Sequence, residues 1–353
     1  MAGTKFRAVL AALTLAAGIC VPAGVGAQTH PAPPVTPLAQ GFEAAFDMQF
    51  GTELRAPRSY LPDYDTPLEQ RVALLAANNE GRIGVAAIDL VTGEHISVLG
   101  DQRFPLASTS KIAIAAAFLE GVDQGKWKLT DEFPLLERLP SKKLSGEPAP
   151  MREGKKYQAI DLIEMSITRS HNEATDGLLY VVGGPDAVND WARRAGIKDF
   201  NLNRYISTLV RDDGEIDPAR SIDLRDSVTP LAMVQLLKGL HDGKWLSPIS
   251  QGVLLGAMGR CKTGPARIPG QLPDGVTVAH KTGSLYNTSS DVGIVTGPDG
   301  HAIAMAIYVT GGKNNKSYRF DRIATIARAI YDGYSGPERV YLNAVAGNVA
   351  APN

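Results

Sequence analysis

The chain has 353 residues, of which 44% are hydrophobic and 21% charged, with a formal net charge of −1. That is globular composition, with length enough for one large core or two smaller ones. Near-neutral charge and the lack of a basic run give no footing for a nucleic-acid partner.

Lys5 and Arg7 precede an apolar run, 8–21, which ends at Pro22 and small residues through Ala27. This is the build of a signal peptide (1–27), too short for a confident membrane span, with cleavage expected after Ala27. Cys20 raises a lipoprotein alternative, but Ile19 before it is bulkier than a lipobox normally allows. The processed chain keeps only Cys261, so an intramolecular disulfide is not expected despite export. The expected product is a periplasmic or secreted monomer with no membrane span.

Residues 28–66 read as a proline-bearing linker. The spacing of Leu68, Val72 and Leu75 predicts an amphipathic helix over 68–79. Alternation predicts strands at 82–90 and 95–99, joined as a hairpin through a turn containing Gly93. Residues 104–119 then read as a helix that opens on polar residues and becomes apolar on every face, so it belongs inside the protein. Ser108 and Lys111 lie three apart near its start and share a face. Unpaired N–H groups and the helix dipole make that start electropositive. Such a position favours an alkoxide attacking a carbonyl and, with burial, disfavours a protonated lysine. Ser108 as nucleophile with Lys111 as its base is the chemistry implied. Ser-x-x-Lys is nevertheless expected roughly once by chance in a chain this long.

Further helices are predicted at 157–168, 173–182 and 185–195, then from Thr229-Pro230 to about 240 and from Ser247-Pro248 to about 258. Strands return at 277–284, 291–296 and 301–309, the last apolar on both faces as a covered central strand would be. A final helix is expected over about 318–331. Strands at both ends and helices between them give an α/β fold of the α+β kind. An antiparallel sheet is flanked by helices, beside an all-helical subdomain at about 104–243. The catalytic domain would span 67–334, followed by a tail at 335–353. The join between sheet and helices is the natural place for a cleft.

Two more clusters fit that cleft. Ser170-His171-Asn172 falls in a break between helices. Lys281-Thr282-Gly283-Ser284 falls on a strand, where glycine permits close approach. Each alone has an ordinary reading, Ser170 or Asn172 as a helix cap and Lys281 as a solvated residue. In this order, with Ser108-Thr109-Ser110-Lys111, they form a known trio. The chain thus resembles the class A β-lactamases and, more distantly, the penicillin-binding peptidases, over about 68–334.

The resemblance implies roles. Ser108 would attack the β-lactam carbonyl with Lys111 accepting its proton. Ser170 would relay a proton to the leaving nitrogen, and Asn172 would hold the substrate's side-chain amide. Backbone N–H groups of Ser108 and Ser284 would form the oxyanion hole. Lys281, Thr282 and Gly283 would present the substrate carboxylate site, with Arg267 replacing an arginine that many relatives carry near Ser289 or Ser290. No cofactor is implied. The six histidines show no metal-ligand spacing, which disfavours a zinc enzyme.

Two departures bear on the chemistry. His171 stands where the family has aspartate, and a buried, hydrogen-bonded histidine is the favoured reading over a pH-sensitive one. The family's water-activating glutamate, in the pattern E-x-x-L-N of an omega-shaped loop, has no plain counterpart. Counting from Arg204 puts Ile206 at the glutamate and Val210 at the asparagine. Counting back from Arg225-Asp226 lands instead on Asp213, with Asp217 at the second polar place and Glu215 as another candidate deacylation base. The second count is preferred. Three functions follow: β-lactam hydrolysis, a D-alanyl-D-alanine peptidase or esterase slow to release β-lactams, or non-catalytic binding of a β-lactam or muropeptide. Intact Ser108, Lys111, Ser170 and Lys281 argue against the last.

Overall fold

The computed structural model describes residues 64–77, 80–312 and 315–335. The predicted signal peptide, most of the linker and nearly all of the tail lie outside them. The N-terminal helix α1 is Pro67–Ala76, capped by Thr66, whose hydroxyl accepts the Glu69 N–H at 3.1 Å. The predicted hairpin is present as β1 (Ile83–Asp89) and β2 (His95–Val98). At the other end of the chain stand β8 (Thr277–Leu285), β9 (Thr288–Thr296), β10 (Ala302–Thr310) and the helix α9 (Lys316–Ser335). Together the strands form one antiparallel sheet in the order β2-β1-β10-β9-β8.

Alternation divides the sheet's side chains between two cores. Val85, Ala87, Ile303, Met305, Ile307 and Val309 pack with α1 and α9. Ala86, Ala304, Ala306 and Tyr308 face the opposite way, into the helical part of the chain. Every residue of β10 is buried, as its two-sided apolar sequence requires.

The helical part is threaded by α2 (Ser110–Asp123), buried on nearly all faces. Around it lie α3 (Ala159–Thr168), α4 (Asn172–Val182), α5 (Pro185–Arg194), the short α6 (Ile206–Arg211), α7 (Pro230–His241) and α8 (Pro248–Gly259). The region expected to be all-helical also carries a hairpin of β4 (Glu132–Arg138) and β5 (Met151–Gln158). Tyr157 and Gln158, expected to open a helix, therefore end a strand, and α3 begins at Ala159. Strand β5 is too polar to show an apolar period of two, which is why its pattern passed unseen. Three two-residue strands, β3 (Phe104–Pro105), β6 (Phe200–Asn201) and β7 (Ser227–Val228), form a small sheet in the order β3-β7-β6.

Candidate active site

Ser108 does not open a regular α-helix. It sits in a tight 3₁₀ turn, Ala107–Thr109, and α2 proper begins two residues later at Ser110. Ala107 adopts a left-handed φ of +44°, and the Ser110 hydroxyl donates back to the Ala107 carbonyl at 2.8 Å. A left-handed alanine is strained, and the tight turn holds it there. Strand β8 lies directly against this turn. A Cβ on Gly283 would come within 2.4 Å of Ser290 Oγ and 3.1 Å of the Ala107 methyl. Only glycine allows that approach, as the sequence pattern implied.

Lys111 is fully buried. Its amine donates to the Ser170 carbonyl at 2.7 Å and to Asn172 Oδ1 at 2.8 Å, and lies 3.2 Å from Ser170 Oγ. Its bonds thus run to Ser170 and Asn172 rather than to Ser108, the partner expected from sequence. Lys281, also fully buried, donates to Ser170 Oγ at 3.0 Å and to the Thr282 carbonyl at 3.0 Å. The Ser170 hydroxyl therefore stands between two amines. Burial, reinforced by the charge of Lys281, holds Lys111 well below the ordinary lysine range. Burial also brings Lys281 down to about 8. Of the two, Lys111 is the stronger candidate for a neutral amine able to accept a proton.

Ser170 has a left-handed φ of +57° in the break between α3 and α4, which turns its side chain away from the helical path. His171 is the N-cap of α4, its Nδ1 accepting the Ala174 N–H at 3.3 Å. It does the capping work an aspartate would do. Its side chain is 37% exposed, which corrects the expectation of a buried histidine. Thr282 Oγ1 pairs with Thr263 Oγ1 at 2.6 Å.

Arg267 is largely committed to structure. Its guanidinium donates to the carbonyls of Gly283 and Ser290 at 2.8 and 2.6 Å and to Ser284 Oγ at 2.7 Å. Its guanidinium carbon sits 4.3 Å from the centre of the Phe320 ring. It pins β8 to β9 beside Ser284, and Nε is buried with no partner.

A cavity of about 320 Å³ opens beside these groups, although Lys111, Lys281 and His171 do not line it. Ala107, Ser108, Ser170, Asn172, Thr282 and Ser284 line it on one side. Ile206, Leu209 and Val210 complete its wall. The preferred alignment of the loop is thereby corrected: Asp213 and Glu215 are not on this cavity. Both Asp213 carboxylate oxygens accept the Tyr286 N–H, at 2.8 and 2.9 Å, and Glu215 pairs with Arg225 at 2.9 Å. Arg204 and Asp226 pair at 2.5 Å across the two ends of the loop, and Ile206 and Val210, the places reached by counting from Arg204, line the cavity.

One acid at the site escaped the sequence reading. Asp176 is 1% exposed and accepts the N–H groups of Ile206 and Ser207 at 2.7 and 2.8 Å. Burial raises its carboxyl to about 6, although those two bonds oppose the shift. The signal was there: Asn172 and Asp176 are four apart on one helix and share a face. Among the described residues no cluster of His, Cys, Asp and Glu could hold a metal ion.

With this geometry in place, the chain can be compared with known proteins. A model described as the β-lactamase enzyme family matches residues 67–334. The chain belongs to this family. In sequence and fold it is a class A serine β-lactamase. It is 32% identical over 272 residues to β-lactamase CTX-M-8 of Citrobacter amalonaticus, covering 76% of this chain and 89% of that one. A β-lactamase structure from Chitinophaga pinensis superposes with a TM-score of 0.66 at 31% identity, covering 75% of this chain and 98% of that one. A mutant of PBP-A, solved as its acyl-enzyme complex with penicillin G, matches with a TM-score of 0.64 at 26% identity. That match covers 76% of this chain and 96% of the PBP-A chain.

Proposed function

We propose that this serine hydrolase opens the β-lactam amide by forming an acyl-enzyme on Ser108, and that release of the acyl group is its slow step. The observation that carries the reading is the Ser170 hydroxyl placed 3.2 Å from Lys111 Nζ and 3.0 Å from Lys281 Nζ, on the cavity that holds Ser108. Lys111, buried and disposed to be neutral, takes the Ser108 proton as the hydroxyl attacks. Ser170 passes a proton on to the departing ring nitrogen. Backbone N–H groups of Ser108 and Ser284 stabilise the oxyanion, and Asn172 holds the substrate's side-chain amide. Lys281 and Thr282 take the substrate carboxylate, with Arg267 fixing the strand they stand on.

Slow release follows from the cavity wall. Hydrolysis of the ester needs a base to activate water, and a well-placed base contributes about 10²–10⁴-fold. Ile206 and Val210 supply none, while Asp213 and Glu215 are engaged elsewhere. The same aliphatic wall favours a second reading, a penicillin-binding peptidase or esterase that β-lactams trap. Export to the periplasm or medium, where either substrate is met, is part of the proposal. Among the described residues no helix is long and apolar enough to cross a membrane.

A chromogenic cephalosporin mixed with the protein tests this directly. The expected record is a burst of one product per enzyme followed by a slower linear phase. Rapid linear turnover with no burst would overturn the slow-release claim, and no burst with no turnover would overturn the acyl-enzyme.

A further inference from the structure

The break between α3 and α4 carries a ring nitrogen with two partners that make opposite demands. His171 Nδ1 accepts the Ala174 N–H at 3.3 Å and so caps α4. The same Nδ1 stands 3.3 Å from Glu173 Oε2. An imidazole nitrogen accepts a hydrogen bond only when it carries no proton, and donates to a carboxylate only when it does. The neutral ring with its proton on Nε2 therefore serves Ala174, and the imidazolium serves Glu173.

The helix end also discriminates between the two states. Ala174 is fully buried, so its N–H is left without water once the ring withdraws. A cation at the N-terminus of α4 opposes the helix dipole as well. The imidazolium is thus driven off the helix and toward the carboxylate of Glu173, whose side chain is 41% exposed.

The other ties of His171 are backbone bonds. Its N–H donates to the Met165 carbonyl at 3.1 Å, and its carbonyl accepts the Thr175 N–H at 3.2 Å and the Thr175 hydroxyl at 2.7 Å. None of these titrates. Charged side chains on the surrounding elements are engaged elsewhere. Lys111 on α2 is bound to Ser170 and Asn172, Glu164 on α3 to Arg260, Glu137 on β4 to Arg152 and Arg211 on α6 to Asp212. Arg169 and Lys262 are exposed at the end of α3. The acid that meets the ring is Glu173, on α4 itself.

Ser170 and Asn172 flank this ring in the chain. Ser170 holds a left-handed φ of +57°, a conformation whose cost is of the same order as the contribution of a helix cap. The cap thus offsets the strain that keeps the Ser170 hydroxyl 3.2 Å from Lys111 Nζ and 3.0 Å from Lys281 Nζ.

We propose that His171 is a positioning residue for acylation: its neutral ring holds Ser170 and Asn172 against Lys111, and its protonation releases them. The step is the transfer of one proton from solvent to Nδ1, with the ring passing from the Ala174 N–H to the Glu173 carboxylate. This rests on the acyl-enzyme reading for its effect on rate, but the switch itself does not.

The test compares the full chain with His171→Asn in stopped-flow acylation by penicillin from pH 8 to pH 5, the range over which histidine changes charge. Asparagine caps a helix as well as aspartate does and does not titrate. The ratio of the two rates cancels the titration of Lys111, Lys281 and Asp176, which both proteins share. It should be near unity at pH 8 and about fivefold in favour of His171→Asn at pH 5, the loss expected of a missing cap. His171→Ala, with no cap at any pH, should fall about fivefold below wild type at pH 8 and match it at pH 5. A ratio of His171→Asn to wild type that changes by less than about twofold across this range overturns the positioning role.

A second measurement needs no variant and no β-lactam. Protection of the Ala174 amide against hydrogen exchange, read by NMR on the unaltered protein and corrected for the intrinsic rate, should fall about fivefold between pH 8 and pH 5. Unchanged protection overturns the switch. Protection that falls in a protein penicillin does not acylate at any pH counts against the Ser108 reading and leaves the switch standing.

Discussion

Replacing Ile206 with glutamate should convert slow release into turnover. Ile206 is 2% exposed, at the start of α6, and lines the cavity with Ser108. A carboxylate there joins the cavity at the wall where a base is missing. General-base assistance is worth about 10²–10⁴-fold, or about 3–5 kcal/mol of barrier. Imperfect placement forfeits about 10²-fold of such effects, so a gain of about 10²-fold in deacylation is the reasonable figure. The cost is stability: the isoleucine's burial contributes about 1.5–3 kcal/mol, and the new acid lies near Asp176. The assay is a single turnover with penicillin, following adduct mass with time and checking the fold by circular dichroism. Acylation should change little while adduct lifetime shortens about a hundredfold. A folded Ile206→Glu protein with an unchanged adduct lifetime would refute the reasoning. So would a wild-type protein whose release is slowed by Asp213→Asn or Glu215→Gln, since neither side chain lines the cavity.

Three further outcomes follow from buried charges. Lys111→Met should lower the acylation rate by about 10²–10⁴-fold, the share of a general base, and a loss under about threefold in stopped-flow acylation would exclude Lys111 from that role. Burial brings Lys281 down to about 8, so above that pH it loses the charge we propose meets the substrate carboxylate. The second-order acylation rate should then fall, approaching about tenfold per pH unit, and a flat profile to about pH 9.5 would contradict it. Asp176 is raised by burial to about 6 from 3.8, so the folded state favours its protonated form. The penalty is absent below about pH 3.8 and complete above about pH 6, and amounts to at most about 3 kcal/mol. Asp176→Asn cannot accept both the Ile206 and Ser207 N–H groups, so its cost is set by the lost bond, but its Tm relative to the unchanged protein should be more favourable at pH 7 than at pH 4; a difference that does not vary with pH by calorimetry would sink this.

Much of the fold was legible because the sheet strands have two apolar patterns. Alternation marks β1 and an unbroken apolar run marks β10, and both strands are covered on both faces, β1 with small residues on the side of the helical core. The hairpin β4–β5 has neither, since most residues of β5 are exposed or half-exposed and its register comes from pairing with β4. The motif residues were legible because Ser108, Ser170 and Lys281 sit at a tight turn, a helix break and a glycine-adjacent strand, all visible as local chemistry. The path of the loop between Arg204 and Asp226 was not. Sequence separation does not reveal which part of a loop folds inward, and here Asp176, thirty positions earlier, accepts the N–H groups of Ile206 and Ser207 and holds that end of the loop at the cavity. Asp213 looked catalytic because it carries the right functional group; its partner, the Tyr286 N–H, lies 73 positions along the chain.

The most direct measurement is a time course of intact and digested protein by mass spectrometry after mixing with penicillin. Rapid appearance of a single penicilloyl adduct on Ser108, persisting long after formation is complete, is the result expected. Penicillin consumed with no accumulating adduct, or an adduct on any other residue, would contradict the central claim.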